Sequence, residues 1–576
     1  MSLKIIYPYI QKHKYKIIAG IIIVLIVDFF QLLIPYAVKQ AIDIITYNID
    51  DYSKVYKYGI FIMAAGILMT FLRYWWRIFL LGTSRYLEKG VRSDLFRHVL
   101  LLDSAFFDRT RTGDIMTHAT SDITHIRMAV GVGLVAFVDS VLLGSVTIGI
   151  MLYINFKLAL LSFIPMPMIV IMAKILGKKM HDFHNDAQAS FSKLTESIRE
   201  SFVGIKVIKI FNFEKYIQSR VFIFCDEYFG KSLKRAYVNA VIKPLMVFFL
   251  NLSLFIIIFY GGYLVMENKF TAGDLVAFTQ YLSLLAWPMI ALGWMVNLIE
   301  RGLASLQRIN GIIETQPYVK DDKDSVGIDS VEKLDFINTS FSYDNKKNCI
   351  ENINFSCKKG DFIGITGPPG SGKSSLVSLF PRFYKINEGS ICINSKDIEK
   401  IKLESLRSKI SFMPQESFLF SGTIKENILL GREYNEKNFN SIIEDCGLKS
   451  TISEMPQGID TKVGERGLSL SGGQKQRVAL ARTLYQEKDI IILDDPVSQI
   501  DTDTANFIIK GIKKRALGKM LIIVSHRISV ISEADNILVL KNGNIDACGD
   551  HHRLMEENNF YREMYKIQKF EKLDES

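Results

Sequence analysis

Six apolar segments lie within the first 300 residues, and each is long enough to cross a lipid bilayer as a helix. Lysines precede the first segment without a small-residue cleavage site, so we interpret it as a retained membrane helix rather than a signal peptide. We expect an all-α membrane domain at residues 1–316, a polar linker at 317–330 and a second domain at 331–576. The predicted segments are Ile17–Val38, Tyr58–Leu81, Met128–Tyr153, Leu158–Leu176, Val241–Met266 and Leu275–Leu298.

The charges beside these segments predict their orientation. The N-terminus and the long second and fourth connections are rich in Lys and Arg. The connections near Asn48–Lys57, Asn155–Lys157 and Glu267–Asp274 are short and not basic. Because positively charged loops stay in the cytoplasm, we expect both termini on that side. The short N-terminus without a transit peptide favours a bacterial plasma membrane.

The composition argues against several other classes of protein. The net charge of +10 comes without a compact Lys/Arg block with interleaved aromatic residues, so we expect no nucleic-acid partner. Positive charge on the cytoplasmic flanks of membrane helices accounts for it. The six Cys are scattered without a C-x-x-C pair, which indicates neither a disulfide framework nor a zinc site.

A glycine-rich loop predicts a nucleotide site. Residues Gly367 to Ser375 read GPPGSGKSS and fit the pattern G-x-x-x-x-G-K-[ST] between an apolar strand and a helical run, as this motif requires. Lys373 would supply charge to the β- and γ-phosphates of ATP, and Ser374 would supply a hydroxyl to Mg²⁺. The predicted nucleotide-binding residues of the loop are Gly367, Pro368, Pro369, Gly370, Ser371, Gly372, Lys373, Ser374 and Ser375.

The stretch from Leu470 to Pro496, LSGGQKQRVALARTLYQEKDIIILDDP, has two ends suited to phosphate chemistry. Its first residues open a helix, whose free N–H groups and dipole attract an anion. Its last residues form an apolar strand that delivers Asp494, where a carboxylate would hold Mg²⁺. The first five residues, which we term the signature, are Leu470, Ser471, Gly472, Gly473 and Gln474.

The glycine-rich loop, LSGGQ and the Asp-Asp pair, in this order and spacing, resemble the nucleotide-binding domain of ATP-binding cassette (ABC) transporters. The resemblance implies a RecA-like α/β P-loop ATPase domain. It also implies that Tyr343 stacks on adenine and that Gln415 contacts Mg²⁺ and the attacking water. His526 resembles the switch histidine that holds the γ-phosphate.

The resemblance extends to the helical half. The segments Phe106 to Asp122 and Glu200 to Phe211 look like the two intracellular loops of ABC exporters, each carrying a coupling helix, and Val463 to Gly467 looks like the exporter X-loop. In this family the signature of one cassette completes the P-loop of another, so the chain is expected to be half of a dimer. Six spans exclude a soluble cassette protein.

One position departs from the family pattern. The family usually places a catalytic Glu after the Mg²⁺-binding Asp, where this chain has Asp495. A general base must hold water within hydrogen-bond reach, and Asp is one methylene shorter. A carboxylate withdrawn by about 1 Å can lose about a hundredfold in rate, unless backbone adjustment restores the reach. With its intact signature, the chain resembles the degenerate subunit of heterodimeric exporters.

Three ionisable residues, Asp28, Arg73 and Asp139, fall inside predicted spans. A charge in a membrane is costly and suggests a functional site, although water lining a cavity would also tolerate it. Arg73 and Asp139 lie at similar depths and could pair. We expect a small hydrophobic or amphipathic cargo, drug-like or lipid-like, whose identity the sequence does not indicate. The alternatives are a homodimeric multidrug or lipid exporter and an ATP-gated channel or regulatory subunit.

Overall fold

The structure is a computed structural model that describes residues 4–47, 52–343, 348–464 and 470–574. The chain divides into two compact units. The helical unit contains Met1–Leu100 and Gly113–Thr315, and the α/β unit contains Leu101–Thr112 and Gln316–Ser576. The chain therefore enters the α/β unit twice, the first time through residues 101–112, which overlap the first predicted intracellular loop.

The helical unit consists of long apolar helices. By length and composition, five helical stretches among the described residues could cross a membrane: Lys14–Tyr47, Ser53–Val99, Thr112–Ile154, Glu214–Met266 and Ala272–Glu314. The 43-residue helix Glu214–Ile256 is about 65 Å long at about 1.5 Å per residue. Since the hydrocarbon core is only about 30 Å thick, such a helix continues well beyond the bilayer.

The fourth predicted span is not one uninterrupted helix. A helix Phe156–Phe163 ends before Pro165, and a new helix, Met166–Val203, begins after it. Pro165 and Pro167 carry no backbone N–H, so neither can continue the hydrogen bonding of the preceding turn. The prediction of a single helix over Leu158–Leu176 is therefore wrong at this turn.

The remaining helices of this unit include short ones and segments of longer helical stretches that wider π-helical turns interrupt. Helix Ile205–Ile210 lies between the helices Met166–Val203 and Glu214–Ile256, within the second predicted intracellular loop. The other helical bounds are Tyr7–Lys12, Tyr52–Trp76, Gly82–Val99, Thr112–Thr117, Ile123–Met128, Leu134–Val138, Gly144–Ile154 and Gly262–Met266, with wider π-helical turns at Arg77–Leu81, His118–Asp122, Ala129–Gly133, Asp139–Leu143 and Ile257–Gly261.

A buried carboxylate joins two helices of this unit. Asp122 is only 3% exposed. It accepts hydrogen bonds from Arg308 Nη2 at 2.6 Å and Nε at 2.9 Å, and from Ser305 Oγ at 2.9 Å. His118 Nδ1 lies 2.7 Å from Asp122 Oδ2, the oxygen that also accepts from Arg308 Nε. A buried charge is tolerated when it is paired and hydrogen-bonded in this way.

The α/β unit is built on a six-stranded sheet with the order β12-β11-β3-β10-β9-β6. Its strands are parallel except for β12 at one edge. A four-stranded antiparallel sheet has the order β2-β1-β4-β5, and β7 pairs with β8. The strands are β1 Lys333–Phe341, β2 Ile350–Lys358, β3 Phe362–Thr366, β4 Glu388–Ile393, β5 Lys396–Asp397, β6 Ile410–Met413, β7 Gly422–Thr423, β8 Lys462–Val463, β9 Ile490–Asp494, β10 Met520–Val524, β11 Asn536–Lys541 and β12 Asn544–Gly549.

Alternate residues of the parallel strands enter two separate cores. In β9, Ile490 and Ile492 face the core that contains the helix Lys373–Leu379, whereas Ile491 and Leu493 face the opposite core. Both faces are covered, so these strands are apolar throughout, as parallel strands usually are. The other helices of the unit are Ser104–Arg109, Leu403–Ser408, Ile424–Leu429, Glu436–Asp445, Lys449–Ser453, Gly472–Tyr485, Thr502–Ala516, Ile528–Ile531, His551–Glu557 and Asn559–Asp574.

We predict that Asp122→Asn destabilises the helical unit, because the amide retains the shape of the carboxylate but removes the charge that Arg308 pairs with. The expected loss is about 1–3 kcal/mol, read as a lower thermal unfolding midpoint in detergent. The control is Glu196→Gln, which breaks an exposed pair with Arg199 at 2.5 Å and should not shift the midpoint measurably. Equal shifts in the two variants would contradict the prediction.

Candidate functional site

The glycine-rich loop connects the end of β3 to the helix that begins at Lys373. Gly367 has φ +150°, and a Cβ at this position would lie 2.2 Å from the carbonyl oxygen of Leu540. Gly372 has φ +96°, and its Cβ would lie 2.6 Å from the carbonyl oxygen of Cys349. Both positions require glycine for conformation and for space. The loop is thereby held close to β11 and to the segment before β2.

The lysine of the loop is buried and is held by the loop itself. Lys373 Nζ donates to the carbonyl oxygens of Gly367 and Pro368, both at 2.9 Å, and lies 3.4 Å from Ser371 Oγ. Burial lowers the pKa of Lys373, and the carboxylates of Asp494 and Asp495 oppose that shift. A cation in this position is placed to attract a polyphosphate.

The two carboxylates follow one another at the end of β9. Asp494 is paired in register with Val524 of the neighbouring strand β10, and its side chain lies beside that of Ser374 in the cleft. Burial raises the pKa of Asp494, and the adjacent charge of Asp495 raises it further. A carboxylate and a neighbouring hydroxyl are the hard oxygen ligands that suit Mg²⁺.

Asp495 has an unusual backbone and an unpartnered oxygen. Its φ is +52°, a left-handed conformation that costs a residue with a Cβ some strain. Its backbone N–H donates to the carbonyl of Val524 at 2.9 Å, and its own carbonyl accepts from Gln476 Nε2 at 2.7 Å. Side-chain Oδ1 is buried without a hydrogen-bond partner. Burial raises the pKa of Asp495, against the attraction of His526 and Arg527.

A cleft of about 660 Å³ brings the predicted groups together. Burial lowers the pKa of His526 in its wall, and the charge of Lys373 lowers it further, which favours a neutral imidazole near pH 7. Among the described residues no cluster of three or more His, Cys, Asp or Glu could hold a metal by itself. The predicted residues that line the cleft are Pro369, Gly370, Gly372, Lys373, Ser374, Ser375, Gln415, Asp494, Asp495 and His526.

The structure adds residues that motif reasoning missed. Asn348, Cys349, Asn542 and Gly543 also line the cleft. Asn542 and Gly543 form the tight turn between β11 and β12, with φ of +50° and +84°, and the Asn-Gly pair is a sequence signal for such a hairpin. Nothing in the sequence indicates that this turn lies beside the glycine-rich loop, because the contact depends on the strand order of the sheet.

Tyr343 lies next to the glycine-rich loop but is not among the residues that line the cleft. Its hydroxyl is 3.0 Å from Ser375 Oγ, and its ring packs edge-on against Phe341 and Tyr384. The residue remains 42% exposed, so part of its surface is accessible to a ligand.

The helix Ser104–Arg109, from the first predicted coupling loop, belongs to the same unit. Arg109 Nη2 donates to the carbonyl of Tyr343 at 3.3 Å, and Tyr384 Oη donates to Asp108 Oδ2 at 2.8 Å. Asp103 Oδ2 accepts from the backbone N–H of Tyr318 at 2.6 Å. This helix therefore contacts the backbone of the predicted adenine-stacking residue.

The signature does not line the cleft of its own chain, as far as the described residues show. Ser471 caps the helix Gly472–Tyr485 in a capping box with Gln474. A Cβ on Gly472 or Gly473 would lie 2.1 Å or 2.7 Å from atoms of Gln499. Leu470 is buried in the core. The predicted X-loop from Val463 lies outside the described residues at positions 465–467.

Gln476 connects the signature helix to the carboxylates. Besides the carbonyl of Asp495, its side-chain amide donates to Ser498 Oγ at 3.0 Å, and its oxygen accepts from the backbone N–H of Gln499 at 3.1 Å. Gln476 is only 2% exposed. One buried amide thus holds both the strand end and the segment that follows it, a role that the sequence did not indicate.

The three ionisable residues of the membrane segments influence one another within the helical unit. Asp139 and Arg73 lie close enough to Asp28 for their charges to interact with its carboxyl group. Asp28 is 7% exposed, and its Oδ2 has no hydrogen-bond partner. Arg73 Nη2 donates to Gln31 Oε1 at 3.4 Å, and the side chain of Trp287 lies beside Asp139. Arg73 and Asp139 do not form the direct ion pair that their similar depth suggested.

Comparisons with known proteins agree on one family. Family models for the ABC transporter transmembrane region and for the ABC transporter match residues 17–289 and 350–498. Multidrug resistance-like ATP-binding protein MdlA of Buchnera aphidicola subsp. Schizaphis graminum is 38% identical over 567 residues, which are 98% of this chain and 97% of that protein. Probable multidrug resistance ABC transporter ATP-binding/permease protein YheI of Bacillus subtilis is 33% identical over 554 residues, 95% and 94% of the two chains.

Among solved structures, the chain is similar to a bacterial Atm1-family ABC exporter with ATP bound. The TM-score is 0.79 at 25% identity, and the match covers 96% of this chain and 98% of the other. These comparisons confirm the predicted fold class, an α-helical transmembrane domain followed by a P-loop ATPase domain.

We predict that Asp495→Asn stabilises the nucleotide-free protein. Because the pKa of Asp495 is raised on folding, protonation favours the folded state, and that stabilisation is lost as the pH rises. At pH 7–8 the variant should therefore unfold at a higher temperature than the wild type. The expected gain in the free energy of unfolding is on the order of 1 kcal/mol. The difference should shrink as the pH falls and the buried carboxyl takes up a proton. Thermal unfolding in EDTA without nucleotide measures it, and a difference independent of pH would contradict the prediction.

Proposed function

The chain belongs to the ABC transporter family, and from this premise we propose that it exports hydrophobic or amphipathic compounds as one half of a heterodimer. It is a membrane-spanning exporter chain whose ATP-binding domain couples ATP hydrolysis to transport. ABC exporters function as dimers in a lipid bilayer. The multidrug names of MdlA and YheI support the proposed class of compound. We place the α/β unit and both termini in the cytoplasm of a bacterial cell.

The assignment of the ATP site rests on one observation. The glycine-rich loop, the two carboxylates, Gln415 and His526 all line the same cleft. The loop and Lys373 would bind the phosphates, and Tyr343 would stack on adenine, which is worth about 1–3 kcal/mol for comparable stacking. Ser374, Gln415 and Asp494 would hold Mg²⁺, which neutralises charge on the phosphates when bound. His526 would contact the γ-phosphate.

Asp495 is the group that would orient the attacking water, and its environment favours slow hydrolysis. The backbone of Asp495 is hydrogen-bonded on both sides, to Val524 and to Gln476. These bonds oppose the backbone shift that would restore the reach of a Glu. A base withdrawn by about 1 Å costs about a hundredfold in rate. We therefore assign this chain the weakly hydrolysing site of a heterodimer.

The signature would serve the second half-transporter. Ser471 and Gly472 do not line the cleft of this chain, and the helix they begin has free N–H groups suited to a phosphate. Paired with the P-loop of a partner, this signature would complete the partner's competent site. The partner's signature would in turn cover the cleft that contains Asp495.

The first coupling helix supports the transmission of nucleotide binding to the membrane helices. Ser104–Arg109 contacts Tyr343 through Arg109 and Tyr384 through Asp108. Both ends of this segment continue into the helical unit. A ligand that moves Tyr343 would therefore move a segment that is covalently joined to two membrane helices.

The intramembrane charges suggest a preference among cargo molecules. Two carboxyl groups, Asp28 and Asp139, lie near the single guanidinium of Arg73, and Asp28 carries a buried, unpartnered oxygen. Such a group is most easily stabilised by a positive charge. We propose that these residues contact the cationic group of an amphipathic substrate in the membrane cavity.

Steady-state ATPase activity tests the heterodimer. We expect the chain purified alone to turn over slowly, and Asp495→Glu to raise the rate by at least about tenfold, part of the hundredfold that placement of a base can provide. Co-purification with its partner half-transporter should give robust activity even with Asp495 unchanged. Lys373→Ala is the control that removes nucleotide binding.

Robust activity of the lone chain that Asp495→Asn abolishes would instead establish a homodimeric exporter with Asp495 as a working base. Flux that runs only down a concentration gradient after ATP binding would indicate an ATP-gated channel. Either result would overturn the proposal.

We predict that Asp28→Asn and Asp139→Asn in the assembled exporter impair transport of a cationic dye more than that of a neutral lipophilic dye. The expected difference is about tenfold, equivalent to about 1.4 kcal/mol. Uptake into inside-out vesicles measures the difference. The Arg73→Ala variant is expected to increase transport of the cationic dye relative to the neutral dye. Equal effects on both dyes, or none, would exclude these residues as substrate contacts.

A further inference from the structure

The C-terminal helix, Asn559–Asp574, follows the residues matched by the family models and carries none of the sequence motifs. Its first turn is firmly anchored. Tyr561 is fully buried, with its hydroxyl 2.8 Å from His551 Nδ1. Asn558 Nδ2 donates to Asp546 Oδ2 of β12 at 2.8 Å. The helix is therefore a fixed scaffold rather than a loose tail over its first turns.

Two turns beyond Tyr561, Gln568 reaches the loop that carries His526. Gln568 Nε2 donates to the backbone carbonyl of His526 at 2.7 Å, and Gln568 Oε1 accepts from the backbone N–H of Ile528 at 2.8 Å. The two bonds use both ends of the amide. Arg527 lies between the two bonded backbone groups, so one side chain binds the backbone both before and after this residue.

No backbone group within the described residues hydrogen-bonds the carbonyl of His526 or the N–H of Ile528. The neighbouring residues have other anchors. Ser525 Oγ accepts from the N–H of Arg527 at 3.0 Å, and Arg527 Nη1 donates to the carbonyl of Ile500 at 2.9 Å. The peptide plane directly after His526 is therefore held from both sides, by Gln568 through the carbonyl of His526 and by Ser525 through the N–H of Arg527.

We propose that Gln568 is a positioning residue that holds the His526 imidazole at the place where the γ-phosphate of ATP binds. Fixing the carbonyl of His526 restricts rotation of the peptide that follows it, and so limits the positions that the imidazole can take. Through Gln568, the C-terminal helix becomes part of the nucleotide site although it lines none of the cleft. The inference rests on the proposed role of His526.

The arrangement parallels that of Asp495. The carbonyl of Asp495 accepts from Gln476 of the signature helix, and the carbonyl of His526 accepts from Gln568, each at 2.7 Å. Each of the two groups that would face the γ-phosphate is thus held through its backbone by a glutamine from a different helix. The side chains themselves remain available to the nucleotide.

The test compares ATP with ADP, because only ATP has the γ-phosphate that His526 would contact. Both nucleotides displace a fluorescent ATP analogue from the full-length chain, carrying Asp495→Asn so that hydrolysis does not intervene. Gln568→Met keeps the length and packing of the side chain but removes both hydrogen bonds. We expect it to weaken ATP binding by about three- to tenfold and to leave ADP binding unchanged. Lys569→Ala, an exposed neighbour on the same helix, should change neither.

A double variant separates positioning from general destabilisation. His526→Ala should itself reduce the preference for ATP over ADP, and adding Gln568→Met should then cause little further loss, because coupled residues are not additive. Equal weakening of ATP and ADP by Gln568→Met, additive losses, or no loss would overturn the inference. If His526→Ala leaves the preference unchanged, it is the proposed role of His526 that fails.

Discussion

Burial of charge at the end of β9 is the constraint on which the nucleotide site depends. Asp494 and Asp495 leave a strand whose residues are buried on both faces, and both carboxylates have raised pKa values. Desolvated carboxylates are costly to the fold, yet they interact strongly with a cation or a polarised water. The cost is offset by polar and charged groups that line the same cleft, namely Lys373, Ser374 and His526. Perturbed groups of this kind are typical of functional sites.

The backbone around these groups is held by side chains from outside the cleft. Asp495 keeps a left-handed φ of +52° while its N–H and carbonyl are both hydrogen-bonded. Gln476 belongs to the helix that begins with the signature. A change at the signature, which would face a partner's nucleotide, can therefore reach Asp495 through one amide. In the proposed dimer, this amide would be a short physical connection between the two ATP sites.

The helical unit also contains a buried carboxylate, Asp122, which is stabilised by hydrogen-bonding partners. Its helices are longer than a bilayer is thick, so they carry polar contacts beyond the membrane. Asp122, Ser305 and Arg308 join the helix that begins at Thr112 to the last helix of the unit. The last helix ends at Glu314, next to the start of the second α/β segment. This cluster thus joins two helical stretches whose ends lie beside two of the three points where the chain passes between the units, at residues 112/113 and 315/316.

The sequence by itself determined the family, the fold class and the order of the motifs, because helix periodicity, a glycine-rich loop and a strand ending in carboxylates are all local patterns. Even so, the local pattern failed at Pro165, where two prolines interrupt an otherwise apolar run. The tertiary structure alone decided which distant residues meet. Asn542 beside the loop, Gln476 under Asp495 and Gln568 under His526 follow from strand order and helix packing. These contacts depend on long-range packing, and no spacing along the chain encodes them.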